Sequence, residues 1–329
     1  MSAWLITGGA GYIGAHVVLA LKDAGMSPVV IDDLSHGLAH RVPEDVPLVQ
    51  ARIQNRRALS QAIDDYSITG VIHLAALKAA GESVDMPLEY YAENVGGMVD
   101  LLSVMKEKDV RNFVYSSSAA VYGTPATNPV AEDAALIPEN PYGQTKVVGE
   151  WLARDAGVAW NLSWVGLRYF NVAGAGADSL GDNSVNNLIP MVFAALDAGR
   201  HPQIFGDDYP TPDGTCIRDY IHVMDLADAH ILALEALADG KSRKYNLGNG
   251  KGYSVREVLE IAYLEPEVQA WAEEGMSGGD TDGDGVADSI ALDTVGDGFA
   301  DTLVPLAAQD TRRRRAQELL TSPGFQIYS

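Results

Sequence analysis

A single cysteine, Cys216, stands among 329 residues, so no disulfide can form within the chain, which accords with a reducing compartment. Positive charge is scarce: 23 Lys and Arg face 45 Asp and Glu, a formal net charge of −22. So acidic a surface has little with which to displace counterions from phosphates, which excludes nucleic acid as a partner. Long apolar runs are lacking as well. No stretch approaches the roughly 18 residues a bilayer span needs, so no membrane association is expected. The opening residues, Met1-Ser2-Ala3-Trp4-Leu5-Ile6-Thr7, carry no basic cluster ahead of the apolar run, unlike a secretory leader. The expectation is a cytoplasmic protein. What is present is ordinary for a globular chain, 47% apolar and 21% charged, long enough for one large α/β domain or two smaller ones.

The acidity is uneven. Between Ile261 and Asp310 there are twelve acidic residues and no basic one, and Arg312, Arg313, Arg314 and Arg315 then follow in a row. Within this stretch a short Asp/Gly pattern starting at Asp280 repeats thirteen residues later, from Asp293. Asp280, Asp282, Asp284 and Asp288 fall at positions 1, 3, 5 and 9 of a calcium-loop-like pattern, with Gly285 at the turn. Ala291 stands where a bidentate Glu is needed, and Val295 breaks the second copy. An acidic tail is the leading expectation for 264–329, and weak calcium binding the alternative.

The first 170 residues alternate apolar runs with helical spacing. Ala3–Thr7, Pro28–Asp32, Gly70–Ala75, Asn112–Ser117 and Leu162–Tyr169 read as buried strands, and Tyr12–Ala24 as a helix with Ile13, Val17, Ala20, Leu21 and Ala24 on one face. Continuous apolar strands separated by helices imply a doubly wound α/β fold, a parallel sheet covered on both faces. Beyond Asn171 the chain turns irregular and rich in Gly, Asn, Asp and Pro. The expected division is a dinucleotide-binding domain at 1–170, a smaller C-terminal substrate-binding lobe at 171–263 interleaved with it, and the atypical segment at 264–329.

Two motifs carry chemistry. Thr7-Gly8-Gly9-Ala10-Gly11-Tyr12-Ile13-Gly14 links the first strand to the first helix. Glycine lets the backbone turn tightly and approach a pyrophosphate, and the helix N-terminus offers free N–H groups. Asp32 ends the next strand, eighteen residues beyond Gly14. A carboxylate there accepts from ribose hydroxyls and repels a 2′-phosphate, favouring NAD over NADP. The second motif is Tyr142-Gly-Gln-Thr-Lys146, preceded by Pro141 at a helix start. Residues four apart share a helix face, and a lysine cation beside a phenol lowers its pKa toward that of a usable base. Ser116-Ser117-Ser118 ends a strand at the sheet edge where ligands bind in such folds, and its hydroxyls can orient a substrate oxygen.

Glycine turn, serine run and Tyr-x-x-x-Lys together resemble the extended short-chain dehydrogenase/reductase superfamily, and with it a Rossmann-type sheet. HLAALKAAGES (73–83), PLEYYAENV (87–95), SSSAAVYG (116–123), LRYFNVAGA (167–175) and above all FGDDYPTPDGTCIRDYIHVMDLADAH (205–230) resemble the UDP-glucose 4-epimerase family, from the N-terminus to about Ala262. The 205–230 segment speaks against a UDP-glucuronate epimerase, the nearest enzymatic alternative. A catalytically silent NAD or UDP-sugar binding protein is the alternative from another class.

The resemblance implies roles residue by residue. Gly8, Gly11, Tyr12, Ile13 and Gly14 would hold the NAD pyrophosphate, and Asp32, Asp33 and Leu34 would border the adenosine ribose. Ile53, Leu74, Ala75, Ala76, Lys78, Asn94, Ser116 and Phe170 would line the cofactor. Asn171, Asn187, Leu188, Gln203, Phe205, Arg218 and Tyr220 would contact UDP-galactose or UDP-glucose. Tyr142 would be the base, Ser118 would hydrogen-bond the sugar 4-oxygen, and Lys146 would bind the nicotinamide ribose and keep the phenol pKa low. A homodimer built on helices at about 85–108 and 141–157 is also implied.

Two segments depart from that pattern. The family usually places Asp after the third strand, accepting from adenine, where this chain has Arg52, free either to stack on adenine or to turn to solvent. An Arg-x-Gly-Asp-type segment that usually holds the diphosphate has no equivalent after Ala262; the Arg312 run reads as solvated. His36 and His40 read as surface residues, His73 as a packed core histidine and Cys216 as structural.

Overall fold

Alternation decides where the first strand sends its side chains. In β1 (Ala3–Thr7), Ala3 and Leu5 enter one apolar cluster and Trp4 and Ile6 the other, so the strand is buried on both faces. Each fully buried Leu or Ile contributes roughly 1.5–3 kcal/mol. The computed structural model describes residues 2–184 and 186–263, together with the backbone at 289–292 and 302–305.

After β1 come α1 (Tyr12–Asp23), β2 (Ser27–Asp32), β3 (Leu48–Gln50), α2 (Arg56–Asp65), β4 (Ile68–His73), α3 (Ala80–Asp85), α4 (Pro87–Tyr90), α5 (Gly97–Glu107), β5 (Asn112–Ser118), α6 (Pro141–Trp160), β6 (Ser163–Tyr169) and β7 (Asn171–Ala173). The chain continues through α7 (Leu188–Asp197), β8 (Ile217–His222), α8 (Val223–Ala236), β9 (Arg243–Leu247), β10 (Gly252–Ser254) and α9 (Val255–Ala262). Two short strands, β11 (Ser289–Leu292) and β12 (Thr302–Pro305), pair antiparallel. The calcium-loop reading of Asp280, Asp282, Asp284 and Asp288 lies outside the described residues.

Seven strands pair in parallel in the order β3-β2-β1-β4-β5-β6-β9. One face is covered by α1 and α8, through Val17, Val18, Leu21, Leu226 and Ala233. The other is covered by α2, α5 and α6, through Leu59, Ile63, Met98, Leu101 and Ala153. This is the doubly wound, Rossmann-type sheet the alternation of runs implies. Strand order reverses between β1 and β4, and ligands of such sheets bind outside the carboxyl ends of the strands at that point.

The helix expected at about 85–108 runs without a gap from Pro87 to Glu107. A π-helical turn, Tyr91–Gly96, joins α4 to α5, and Gly96 and Gly97, poor helix formers, lie where it ends. Helix α6 starts as its sequence dictates: the Asn140 side chain accepts from Gly143 N at 2.9 Å and Pro141 occupies the first turn. Asn161, left-handed at φ 60°, ends it. No helix among the described residues is long and apolar enough to cross a membrane.

The described residues fall into two compact units. One takes in the chain up to Asp182 together with Ile221–Gly248; the other holds Asn183–Tyr220 and continues from Asn249. In the second, Tyr253 of β10 lies opposite Arg218 of β8 in an antiparallel pair. Its core joins Val192, Leu196, Ile204, Leu259 and Tyr263. A capping box between Ser254 and Glu257 starts α9.

Candidate active site

The glycine turn is shaped by contacts no side chain would tolerate. A Cβ on Gly14 would lie 2.2 Å from the Gly8 carbonyl oxygen, and one on Gly8, at φ +73°, would lie 2.8 Å from Ala75 N. Gly11 caps α1 without a side-chain hydrogen bond, so the first-turn amides keep their donors for a ligand. Ile13 is half-buried on α1. The Tyr12 hydroxyl donates to Gly174 O at 2.5 Å, and burial pushes that phenol up. His16, one turn on, lies 2.8 Å by Nδ1 from Tyr12 O and accepts at Nε2 from Gly176 N at 2.9 Å, an arrangement that needs the neutral ring with its proton on Nδ1.

Asp32 closes this turn from the side. Its carboxylate accepts from Ala10 N at 3.0 Å and Leu34 N at 2.9 Å; burial raises its pKa, partly offset by those amides. A carboxylate offers about four lone-pair sites, so two remain for hydroxyl donors. Leu34 sits in the left-handed region at φ 62°. Asp33 accepts from Ser35 N at 2.9 Å and from Ser35 Oγ at 2.5 Å. Arg52 turns to solvent, its side chain 57% exposed, and is paired there: Glu93 takes it, and Asp33 lies 3.8 Å away. Glu93 also accepts from Gln54 Nε2 at 2.8 Å, while Ile53 between them is buried against Gly97.

The segment after β4 hangs on Thr7. Its Oγ1 accepts from Leu74 N and Ala75 N, each at 3.2 Å, and meets His73 Nδ1 at 2.7 Å. His73 is a buried core residue, and burial pulls its pKa to about 3. Ala76 and Lys78 are exposed. Asn94, in the π-helical turn, accepts from Leu77 N at 2.8 Å and donates to Leu77 O and Thr145 Oγ1, each at 3.0 Å. It therefore ties this segment to α6 one residue before Lys146. Phe170 and Asn171 are half-buried just past the end of β6, with Phe170 N donating to Leu247 O at 3.1 Å.

The expected catalytic set does assemble. Tyr142 and Lys146 share one face of α6, with the ammonium 5.7 Å from the Tyr142 ring centroid. Lys146 Nζ, 3% exposed, donates to Ser116 O at 2.7 Å, and the Tyr142 hydroxyl is hydrogen-bonded to Ser118. Ser118 Oγ also accepts from Ala120 N at 3.2 Å, and Ser116 Oγ meets Tyr169 OH. The protonation tendencies differ from the sequence expectation. Burial raises the Tyr142 phenol above its ordinary value, opposed only by the Ser118 hydrogen bond, and pulls Lys146 down to about 7. The cause is desolvation: the pair is walled in more tightly than a shared helix face implies.

Sequence reasoning missed what lies beneath. Glu150 and Arg168 form a bidentate ion pair, Nε to Oε1 at 2.7 Å and Nη2 to Oε2 at 2.6 Å, with Ser117 Oγ donating to Glu150 Oε1 at 2.6 Å. The available signal was Arg168 inside the otherwise apolar run LSWVGLRY.

The remaining expected residues lie in the second unit. Asn187 precedes α7, Leu188 begins it, Gln203 is exposed and Phe205 is 74% exposed. Arg218 is exposed and donates to Ile217 O at 3.0 Å. Tyr220 is buried, its phenol pushed up to about 12 by that burial. Asp219 accepts from Asn249 N and Gly250 N, each at 2.8 Å. His36 and His40 are exposed, and Cys216 is a half-buried free thiol.

The chain is similar to known proteins along most of its described length. The profile of the NAD dependent epimerase/dehydratase family matches residues 4–248. A UDP-glucose 4-epimerase of Halalkalibacterium halodurans is 48% identical over 264 residues, 79% of each chain. One from Azospirillum brasilense is 49% identical over 261 residues, 78% of this chain and 75% of that one. Among solved structures, UDP-glucose 4-epimerase from Brucella ovis in complex with NAD superposes with a TM-score of 0.77 at 42% identity, covering 80% of this chain and 82% of that one. The enzyme from Bifidobacterium longum in complex with NAD+ and UDP gives 0.76 at 36% identity, covering 82% and 84%. The chain belongs to the NAD dependent epimerase/dehydratase family, among its UDP-glucose 4-epimerases.

Proposed function

We propose that this chain interconverts UDP-galactose and UDP-glucose with bound NAD that is not consumed. The observation that carries the reading is the set on α6 and β5: a phenol hydrogen-bonded to Ser118, beside an ammonium fixed on Ser116 O at 2.7 Å. The residues present fit a dinucleotide. The turn leaves room only for backbone at Gly8 and Gly14, uncapped amides open α1, and the Asp32 carboxylate retains acceptor sites. Gly8, Gly11, Gly14 and the first turn of α1 would hold the pyrophosphate, Asp32 the adenosine ribose, and Lys146 the nicotinamide ribose. Bound NAD would supply the hydride acceptor and donor for C4 of the sugar.

The residues of this chain handle the proton. Tyr142 Oη takes it from the sugar 4-hydroxyl, holds it while C4 is a ketone, and gives it back. Ser118 Oγ orients the 4-oxygen. Burial works against the phenolate, and the Ser118 hydrogen bond offsets part of that cost. Arg218, exposed and of the right chemistry for bidentate phosphate contacts, would anchor the diphosphate while the sugar turns. Asn171, Asn187, Leu188, Gln203, Phe205 and Tyr220 would complete the UDP-sugar contacts.

A homodimer belongs to this reading. Leu88, Val99, Trp151 and Val158 of α4, α5 and α6 are 79%, 44%, 49% and 85% exposed, an apolar surface suited to a second copy. A cytoplasmic setting fits the lone Cys216. Incubating the purified protein with UDP-galactose and measuring UDP-glucose tests the function. Retained NAD without turnover would instead identify a binding protein.

A further inference from the structure

Resting on the epimerase reading, we propose that the buried Glu150–Arg168 ion pair is a positioning device for α6, fixing its register on β5 so that Tyr142 and Lys146 meet Ser118 and Ser116. Glu150 lies one helical turn beyond Lys146 and two beyond Tyr142, on the same face. The three consecutive serines of β5 each hold one of these residues. The Ser116 carbonyl takes Lys146, the Ser117 hydroxyl takes Glu150 and the Ser118 side chain takes Tyr142. Opposite Ser117 in the β5–β6 register stands Arg168 itself.

Every guanidinium nitrogen of Arg168 is engaged. Nε and Nη2 fork onto Glu150, and Nη1 donates to Tyr122 OH at 2.6 Å and Glu132 O at 2.8 Å. Tyr122 OH in turn donates to Asn246 Oδ1 at 2.7 Å, so α6, β5, β6, β9 and the 122–132 segment meet at one group. The side chains are 0% and 4% exposed. Stability alone does not call for such a pair, because an apolar pair of similar volume often serves as well or better. A planar guanidinium on a carboxylate offers instead a fixed relative position of the elements that carry them.

The apolar replacement Glu150→Leu with Arg168→Met separates the two roles. The double variant, purified with its NAD, is expected to unfold near the temperature of the parent and to keep its cofactor. Its kcat for UDP-galactose should fall by about 10- to 100-fold while KM stays within about twofold. Ser117→Ala, which keeps the ion pair and severs only its link to β5, guards against a double variant that does not fold. Its kcat should drop roughly 2- to 10-fold at unchanged KM. A crystal structure of the double variant supplies a readout independent of turnover: the contact from Lys146 Nζ to Ser116 O, 2.7 Å here, should open. A parental kcat in either variant, or an unmoved contact, overturns the proposal. A parent protein that retains NAD but does not epimerise counts against the epimerase reading, and the crystallographic arm then decides the positioning on its own.

Discussion

Lys146 reaches across from α6 to donate its Nζ proton to the carbonyl of Ser116 at 2.7 Å, two residues before the serine that meets Tyr142. The ammonium is therefore a strut between helix and strand as well as a charge near the phenol. Its burial, which pulls the pKa from 10.5 to about 7, gives a pH signature. Below pH 7 the folded protein bears the full cost of a buried cation, and that cost fades as pH rises from 7 to 10.5. Lys146→Met should therefore gain stability over the parent at pH 6 and lose that advantage by pH 10, while kcat falls by about 10²-fold or more. Thermal unfolding across pH, beside turnover, checks both.

Tyr142→Phe removes only the hydroxyl that Ser118 engages. Turnover should fall by roughly 10²- to 10⁴-fold with the melting temperature little changed and NAD still bound. A residual rate within about tenfold of the parent would place the base elsewhere.

Gly14→Ala asks the turn to admit a Cβ 2.2 Å from the Gly8 carbonyl oxygen. Backbone has to move, so the expected cost is on the order of 1–3 kcal/mol in stability together with loss of NAD on purification. Absorbance of released cofactor and a melting curve measure the two effects.

Two buried histidines contribute to the acid limb. Burial holds His73 neutral down to about pH 3 and His230 down to about pH 4. The unfolded chain protonates both near pH 6.5, so it binds more protons than the folded one below that value. Stability should fall as pH drops from 6.5 toward 4, by on the order of 3 kcal/mol for each histidine. His230→Phe should flatten part of that slope in denaturant titrations.

Leu88→Asp and Val158→Asp place charge on side chains 79% and 85% exposed, where a monomer would lose within about 0.5 kcal/mol. If the chain dimerises on this face, sedimentation should show dissociation.

The parallel sheet was legible because its strands are continuous apolar runs: Leu5, Val30, Val71, Val114 and Val165 need only be read in order. The turn at Gly8–Gly14 and the Tyr142/Lys146 spacing were legible because both are local. What escaped is what depends on distant partners. Nothing in the letters around Arg52 names Glu93, forty-one residues on, and nothing near Glu150 names Arg168. The lowered lysine and raised phenol escaped for a different reason. Spacing reports which residues share a face, while desolvation depends on everything else packed around them.

The glycine turn has a consequence for how affinity can drift over evolutionary time. At Gly8 and Gly14 the restriction is contact with main-chain atoms, which no neighbouring substitution relieves by degrees. Variation there is a switch and not a dial. Graded adjustment of dinucleotide grip would fall to positions such as Asp33 and Arg52, whose side chains are 32% and 57% exposed and can be exchanged without touching the turn. That division lets the hold on the nucleotide adapt while the seat itself stays constant.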